Sequence, residues 1–240
     1  MAAGSNARSR DARAKAAELL RQQKARDRRR RLVAVWSGIA AVVIVGGVVT
    51  GVIVGNAKPS SSAAAAAASV PTVAPTVAHG AESAPPWKAP TDPSARAKAA
   101  GLQMLSSEGT VEHIHSHLTV TVDGKKVAVP ALLGIDESAG SISPLHTHDE
   151  SGIVHVESPV KASFTLGQVF TEWNVALATG RIGSYSTADG RAITVFVDGK
   201  PYTGDPAAIT LADHEDIDIV VTQSGVTASA PAAFTWPAGY

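Results

Sequence analysis

Residues 112–122 read EHIHSHLTVTV, with His113, His115 and His117 at every second position. Downstream, LHTHDESG supplies His146 and His148, and IVHVES supplies His155 and Glu157. Six of the eight histidines therefore fall between residues 113 and 155. A neutral imidazole offers a lone pair to a transition metal, and zinc takes such nitrogens at about 2.0–2.1 Å. Copper(II) also suits imidazole and binds more tightly in the Irving–Williams order. Unmetallated and protonated near pH 6, rings crowded in this way would repel each other.

The spacing says which rings meet. Side chains at i and i+2 of a strand share a face. His113, His115, His117, Thr119 and Thr121 then line one face, and Ile114, Leu118, Val120 and Val122 line the other, which must be the core side. The histidine face is expected to be exposed or to line a cleft. A hairpin folded about residues 149–152 would place His146 opposite His155, with Cβ atoms about 4.5–5.5 Å apart, and position 148 opposite 153. The predicted ligands are His115, His117, His146, His148 and His155, with His113 and Glu157 as second choices. Asp149 is a candidate to fix an imidazole by hydrogen bonding. His214, within LADHEDIDI, reads as a solvated acidic loop, and His79 as incidental.

What is missing narrows the chemistry. There is no cysteine, so disulfides, thiolate sites and cysteine nucleophiles are excluded. The only methionines are Met1 and Met104, which favours copper(II) or zinc over copper(I). The chain holds no HExxH and no Gly-rich phosphate loop. Three functions fit. One is a non-catalytic module binding copper or zinc. Another is a metal-dependent envelope enzyme with a three-histidine site and an open coordination position. The third is an envelope interaction protein whose histidines respond to pH.

The elements needed to position these residues are mostly strands. LTVTVDGK, beginning at Leu118, and ITVFVDGK, beginning at Ile193, are 75 positions apart. Each is an alternating run ended by Asp-Gly, a tight-hairpin signal. This is either an internal duplication or two hairpins with the same turn chemistry. Residues aligned with the three leading histidines are Ala188, Gly190 and Ala192. One short helix is marked by Thr165 and Gln168, a capping box, with Leu166, Val169, Phe170 and Trp173 on one apolar stripe. A last strand is expected over residues 217–221. The aromatic, proline-broken tail FTWPAGY either packs back or floats.

The rest of the chain reads as a tether. Residues 1–31 carry eleven Lys/Arg against three acids, whereas residues 101–240 carry six against sixteen. Residues 32–54 hold no charge and, as a helix, would span roughly 34 Å, enough for a bilayer core. Arg28 to Arg31 abut this run, so the positive-inside rule keeps the N-terminus in the cytoplasm and the C-terminal domain outside. Gly47, Gly51 and Gly55 would give a small-residue stripe for a homodimer. No nucleic-acid motif accompanies the basic segment. The expectation is a mainly β (α+β) extracytoplasmic domain with hairpins and one short helix, residues 101–240. A single transmembrane helix, residues 32–54, and a disordered Ala/Pro-rich linker, residues 55–100, tether it to a basic cytoplasmic segment, residues 1–31.

HIHSHLTVTVDGK, LHTHDESGIVHVES, FTLGQVFTEWN and ITVFVDGKPYTGDP together resemble a loose group of uncharacterised bacterial membrane-anchored envelope proteins, over roughly residues 110–222. The resemblance implies a shared fold unit and carries no activity. A cupin motif is approached by Gly140 and the His146/His148 pair. The glutamate that motif wants four or five residues on is replaced by Gly152 and Ile153, and a second motif is not evident.

Overall fold

Alternation over residues 112–122 makes β1, Glu112–Val122, the strand around which the sheet is built, in a computed structural model that describes residues 70–240. The basic segment, the apolar run at 32–54 with its glycine stripe, and the linker as far as residue 69 lie outside the described residues. Among the described residues, no helix is long and apolar enough to cross a membrane.

The domain is mainly β with two α-helices among the described residues. In chain order it runs α1 (Pro93–Ala99), β1, β2 (Lys125–Val127), β3 (Ile135–Asp136), β4 (Ser141–Ile142), β5 (Leu145–His146), β6 (Ile153–Ser158) and α2 (Leu166–Trp173). There follow β7 (Leu177–Ala178), β8 (Arg181–Ile182), β9 (Tyr185–Ser186), β10 (Arg191–Val197), β11 (Lys200–Tyr202) and β12 (Asp216–Gln223). The seven-stranded sheet has the order β11-β10-β12-β1-β6-β5, with β2 also on β1. One edge of β1 runs parallel to β12 over residues 117–122. Its other edge takes β6 antiparallel over residues 112–117, then β2 over residues 120–122.

Period-two alternation sorts the sheet into two faces. Leu118, Val120, Val154, Val156, Ile217 and Ile219 share one apolar cluster with Leu166, Phe170 and Trp173 of α2. The capping box forms as expected: Thr165 Oγ1 accepts from Gln168 N, and Gln168 Oε1 accepts from Thr165 N at 3.0 Å. Asn174, at φ 60°, stops the helix in the left-handed conformation. Both Asp-Gly hairpins are tight turns with positive φ at each central residue, and Val122 pairs with Lys125 as Val197 pairs with Lys200. Upstream the likeness ends, because Ala188 lies in a 3-10 turn that Gly190 caps.

One expectation needs correction. The single helix expected within residues 101–240 is α2, but residues 70–100 are not a free linker. They hold α1, with Asp92 as its N-cap and Pro93 in its first turn. Ala78 bridges Leu177 and Ala81 bridges Val175. Trp87 packs edge-on against Trp173 at 5.6 Å, and Trp173 Nε1 donates to its carbonyl. Arg96 donates to the carbonyls of Thr171 and His79, closing the C-terminus of α2. The buried residues here are mainly alanine, with one tryptophan. They form no periodic pattern, and prolines lower the entropy lost on ordering.

Candidate metal centre

The histidines come together because three strands lie in the order β1-β6-β5. Register sets His115 against His155, His113 against Glu157, and His155 against His146. The cross-strand pairing of His146 with His155 is the one expected; the ladder stops there, and position 148 does not pair with 153. His146 and His155 stack at 5.1 Å between ring centroids, and His148 packs edge-on to both, at 4.8 and 4.5 Å. His115 packs edge-on to His155 at 4.6 Å and to His113 at 5.0 Å.

Two groups of side chains stand close enough to hold a metal ion. Donor atoms of His146, His148, His155 and Glu157 all lie within 4.8 Å of one another, as do those of His113, His115 and Glu157. Four tetrahedral donors about 2.0–2.2 Å from one ion stand roughly 3.3–3.6 Å apart, so modest side-chain rotation closes either set. His155 Nδ1 is 3.1 Å from Glu157 Oε1, and His113 Nε2 is 3.4 Å from the same oxygen. His148 Nε2 lies 3.8 Å from Glu108 Oε1 at the solvent side.

His146 is the best defined donor. It is 1% exposed, and its Nδ1 lies 3.0 Å from the Ser143 carbonyl oxygen. A carbonyl only accepts, so Nδ1 carries the proton and Nε2 carries the lone pair. Nε2 is buried and has no hydrogen-bond partner among the described residues. Leaving a buried polar atom unmatched costs about 1–3 kcal/mol, and a ligand nitrogen oriented by a bond from its other ring atom is the usual arrangement at metal sites.

Burial sets the charge state. Desolvation, then the neighbouring His155 and His148, bring His146 down to about 3. Desolvation, then His155 and His113, bring His115 down to about 4. Both rings are neutral at pH 7, the form in which imidazole binds metal. Burial opposes ionisation of Glu157, but the hydrogen bond from His155 and the surrounding imidazoles outweigh it, and its net shift is downward.

The face, expected to be exposed or to line a cleft, is partly covered, with His113 and His148 left half exposed. The tail returns across it. Phe234 stacks on His117 at 3.6 Å and its N–H donates to Asp216 Oδ2 at 2.8 Å. Tyr240 packs against His115 and His155 at 4.9 and 5.7 Å, and Trp236 against His214 at 4.7 Å.

The candidate ligands therefore part company. His115, His146, His148 and His155 fall within the two groups, together with the second choices His113 and Glu157. His117 does not: its Nδ1 is 2.7 Å from Asp216 Oδ1 and its Nε2 is 3.2 Å from the Ser151 carbonyl. Both nitrogens are used, so it is a satisfied buried histidine. Gly152 packs against it, where a Cβ would stand 3.0 Å from Nε2. Asp149 accepts from Ser151 N and shapes the turn, so the group that orients an imidazole is the Ser143 carbonyl instead. His79 joins neither group, and exposed His214 packs at a tilt against Trp236 outside both. Nothing in the sequence marks Ser143 for this role, because a backbone carbonyl has no residue signature. No protein-family model, curated protein or solved structure matches the chain.

Proposed function

We propose that the chain is a membrane-tethered, extracytoplasmic module that holds copper(II) or zinc through His146, His148, His155 and Glu157. The observation that carries this reading is the buried, unpartnered Nε2 of His146, whose ring is already fixed from the other side. Three imidazoles and one carboxylate form a set of nitrogen and oxygen donors suited to either ion. Burial holds His115 and His146 neutral throughout the range in which a pH-responsive surface would work, which favours metal over proton as the ligand. A cleft of about 250 Å³ beside Trp87 and Trp173 is lined by no member of either group. Binding without catalysis is the reading we adopt.

The purified chain is expected to bind zinc or copper(II) stoichiometrically, and the H146A/H148A double variant to lose that ion. Affinity weaker than about 1 µM for both metals in the wild type would refute the proposal. Anchorage through residues 32–54, with the domain outside the cytoplasm, is tested separately by protease accessibility of the domain in intact cells. Protection there would refute that topology.

A further inference from the structure

We infer that the histidine face binds two metal ions that share the carboxylate of Glu157, one held with His146, His148 and His155 and the other with His113 and His115. This rests on the metal reading above and extends it.

The donor inventory motivates the inference. One four-coordinate ion is satisfied by three histidines and Glu157, yet two further imidazoles lie within reach of that same carboxylate. His115 is not an incidental surface ring, whereas His113 is half exposed. His115 is 8% exposed, and its ring touches His113, His155 and Tyr240 edge-on. Its neighbour two residues on, His117, shows how this face treats a histidine kept for structure, with both nitrogens bonded.

Glu157 is placed for the shared role. It is directly opposite His113 across the β1–β6 ladder and two residues from His155 on its own strand. Imidazole nitrogens of His155 and His113 approach its Oε1 at 3.1 and 3.4 Å. A carboxylate has two oxygens and about four lone-pair sites, so it can serve an ion on each side. Two-metal sites hold their ions about 3.5–4 Å apart, and His115 and His155, one from each group, are neighbours in edge-on contact. The second ion would have three protein donors and would take a water or an anionic ligand in the remaining position. Its chemical class is that of the first, zinc or copper(II).

Native mass spectrometry of the full chain titrated with zinc alone tests the count. The expected result is two ions on the wild type and one on H113A/H115A. Because His115 is buried, H113A alone, at a half-exposed side chain, serves as the companion variant; it should weaken the second ion at least about tenfold and leave the first. A wild type that binds one ion overturns the second site and leaves the single-ion reading standing. A wild type that binds none overturns both. Two ions persisting in H113A/H115A would mean that the assigned donors are wrong. Copper(II) loading then tests the sharing. Ions joined through one carboxylate should give an integrated electron paramagnetic resonance intensity well below the copper content, restored to one spin per copper in H113A/H115A. Full intensity with two coppers bound would refute the shared Glu157.

Discussion

Glu172 is a carboxyl group in the wrong place for a charge, and its replacement by glutamine makes a measurable difference. It lies on α2, three residues after Val169, and is 3% exposed. Ser143 Oγ donates to its Oε1 at 2.5 Å. Desolvation raises its pKa from 4.5 to about 8, against smaller opposing effects from the Ser143 hydrogen bond and the charge of Arg96. In the unfolded chain it titrates near 4.5. Between pH 4.5 and 8 the folded state keeps a proton that the unfolded state has lost, so stability falls as pH rises, by up to about 1.4 kcal/mol per pH unit. From about pH 5.5 to about 7.5 the loss from this one group is roughly 2.5 kcal/mol.

Glu172→Gln keeps the shape and the acceptor for Ser143 and removes the titration. Buried His115 and His146 act in the opposite sense below about pH 6.5, because they stay neutral when folded and take protons when unfolded. They are common to both proteins and cancel in the difference. Urea unfolding of the full chain, with a chelator present, should show the variant gaining on the wild type by roughly 2.5 kcal/mol between about pH 5.5 and about 7.5. Parallel pH profiles for the two proteins would refute the claim that Glu172 is protonated in the fold.

Other perturbations separate structure from site. Arg96→Ala removes charged hydrogen bonds to the Thr171 and His79 carbonyls, and should cost about 1.5–3 kcal/mol in urea unfolding if residues 70–100 are part of the fold; a free linker would show no change. His117→Ala leaves Asp216 without its imidazole partner and should cost about 1–3 kcal/mol while leaving metal content unchanged, which atomic absorption checks. Phe234→Ala with Tyr240→Ala loosens the tail over the histidine face. Zinc release to a chelator should then speed up at least about tenfold, the equivalent of about 1.4 kcal/mol, and an unchanged rate would mean that the tail does not cover the site.

The parts of the fold legible in the sequence were those governed by local rules. Alternation placed β1, Asp-Gly placed both hairpin turns, and the Thr165/Gln168 box placed α2. The pairing of His146 with His155 also followed from strand geometry alone. Long-range returns were not legible. The tail crosses the histidine face because Phe234 finds the His117 ring and the Asp216 carboxylate, and no periodicity in FTWPAGY announces that partner. Residues 70–100 join the core through Trp87, scattered alanines and backbone carbonyls, which form no periodic pattern. Glu172 did leave a trace, the one charged residue of α2, but its meaning depends on Ser143, 29 positions away.

Residue type alone does not separate a structural histidine from a candidate ligand on this face. His117 and His146 are both buried, at 3% and 1% exposure. Each has a carbonyl oxygen near one nitrogen: Ser151 for His117, Ser143 for His146. The difference lies at the second nitrogen. Asp216 occupies it in His117, on β12, the strand parallel to β1. His146 is on the far strand of the same sheet, beyond β6, where other imidazoles and Glu157 gather. An imidazole that is neutral, oriented and surrounded by further lone pairs repels acceptors and attracts a cation. The sheet order β12-β1-β6-β5 thus divides one face of histidines into a ring locked by a carboxylate on one side and a set of donors converging on Glu157 on the other.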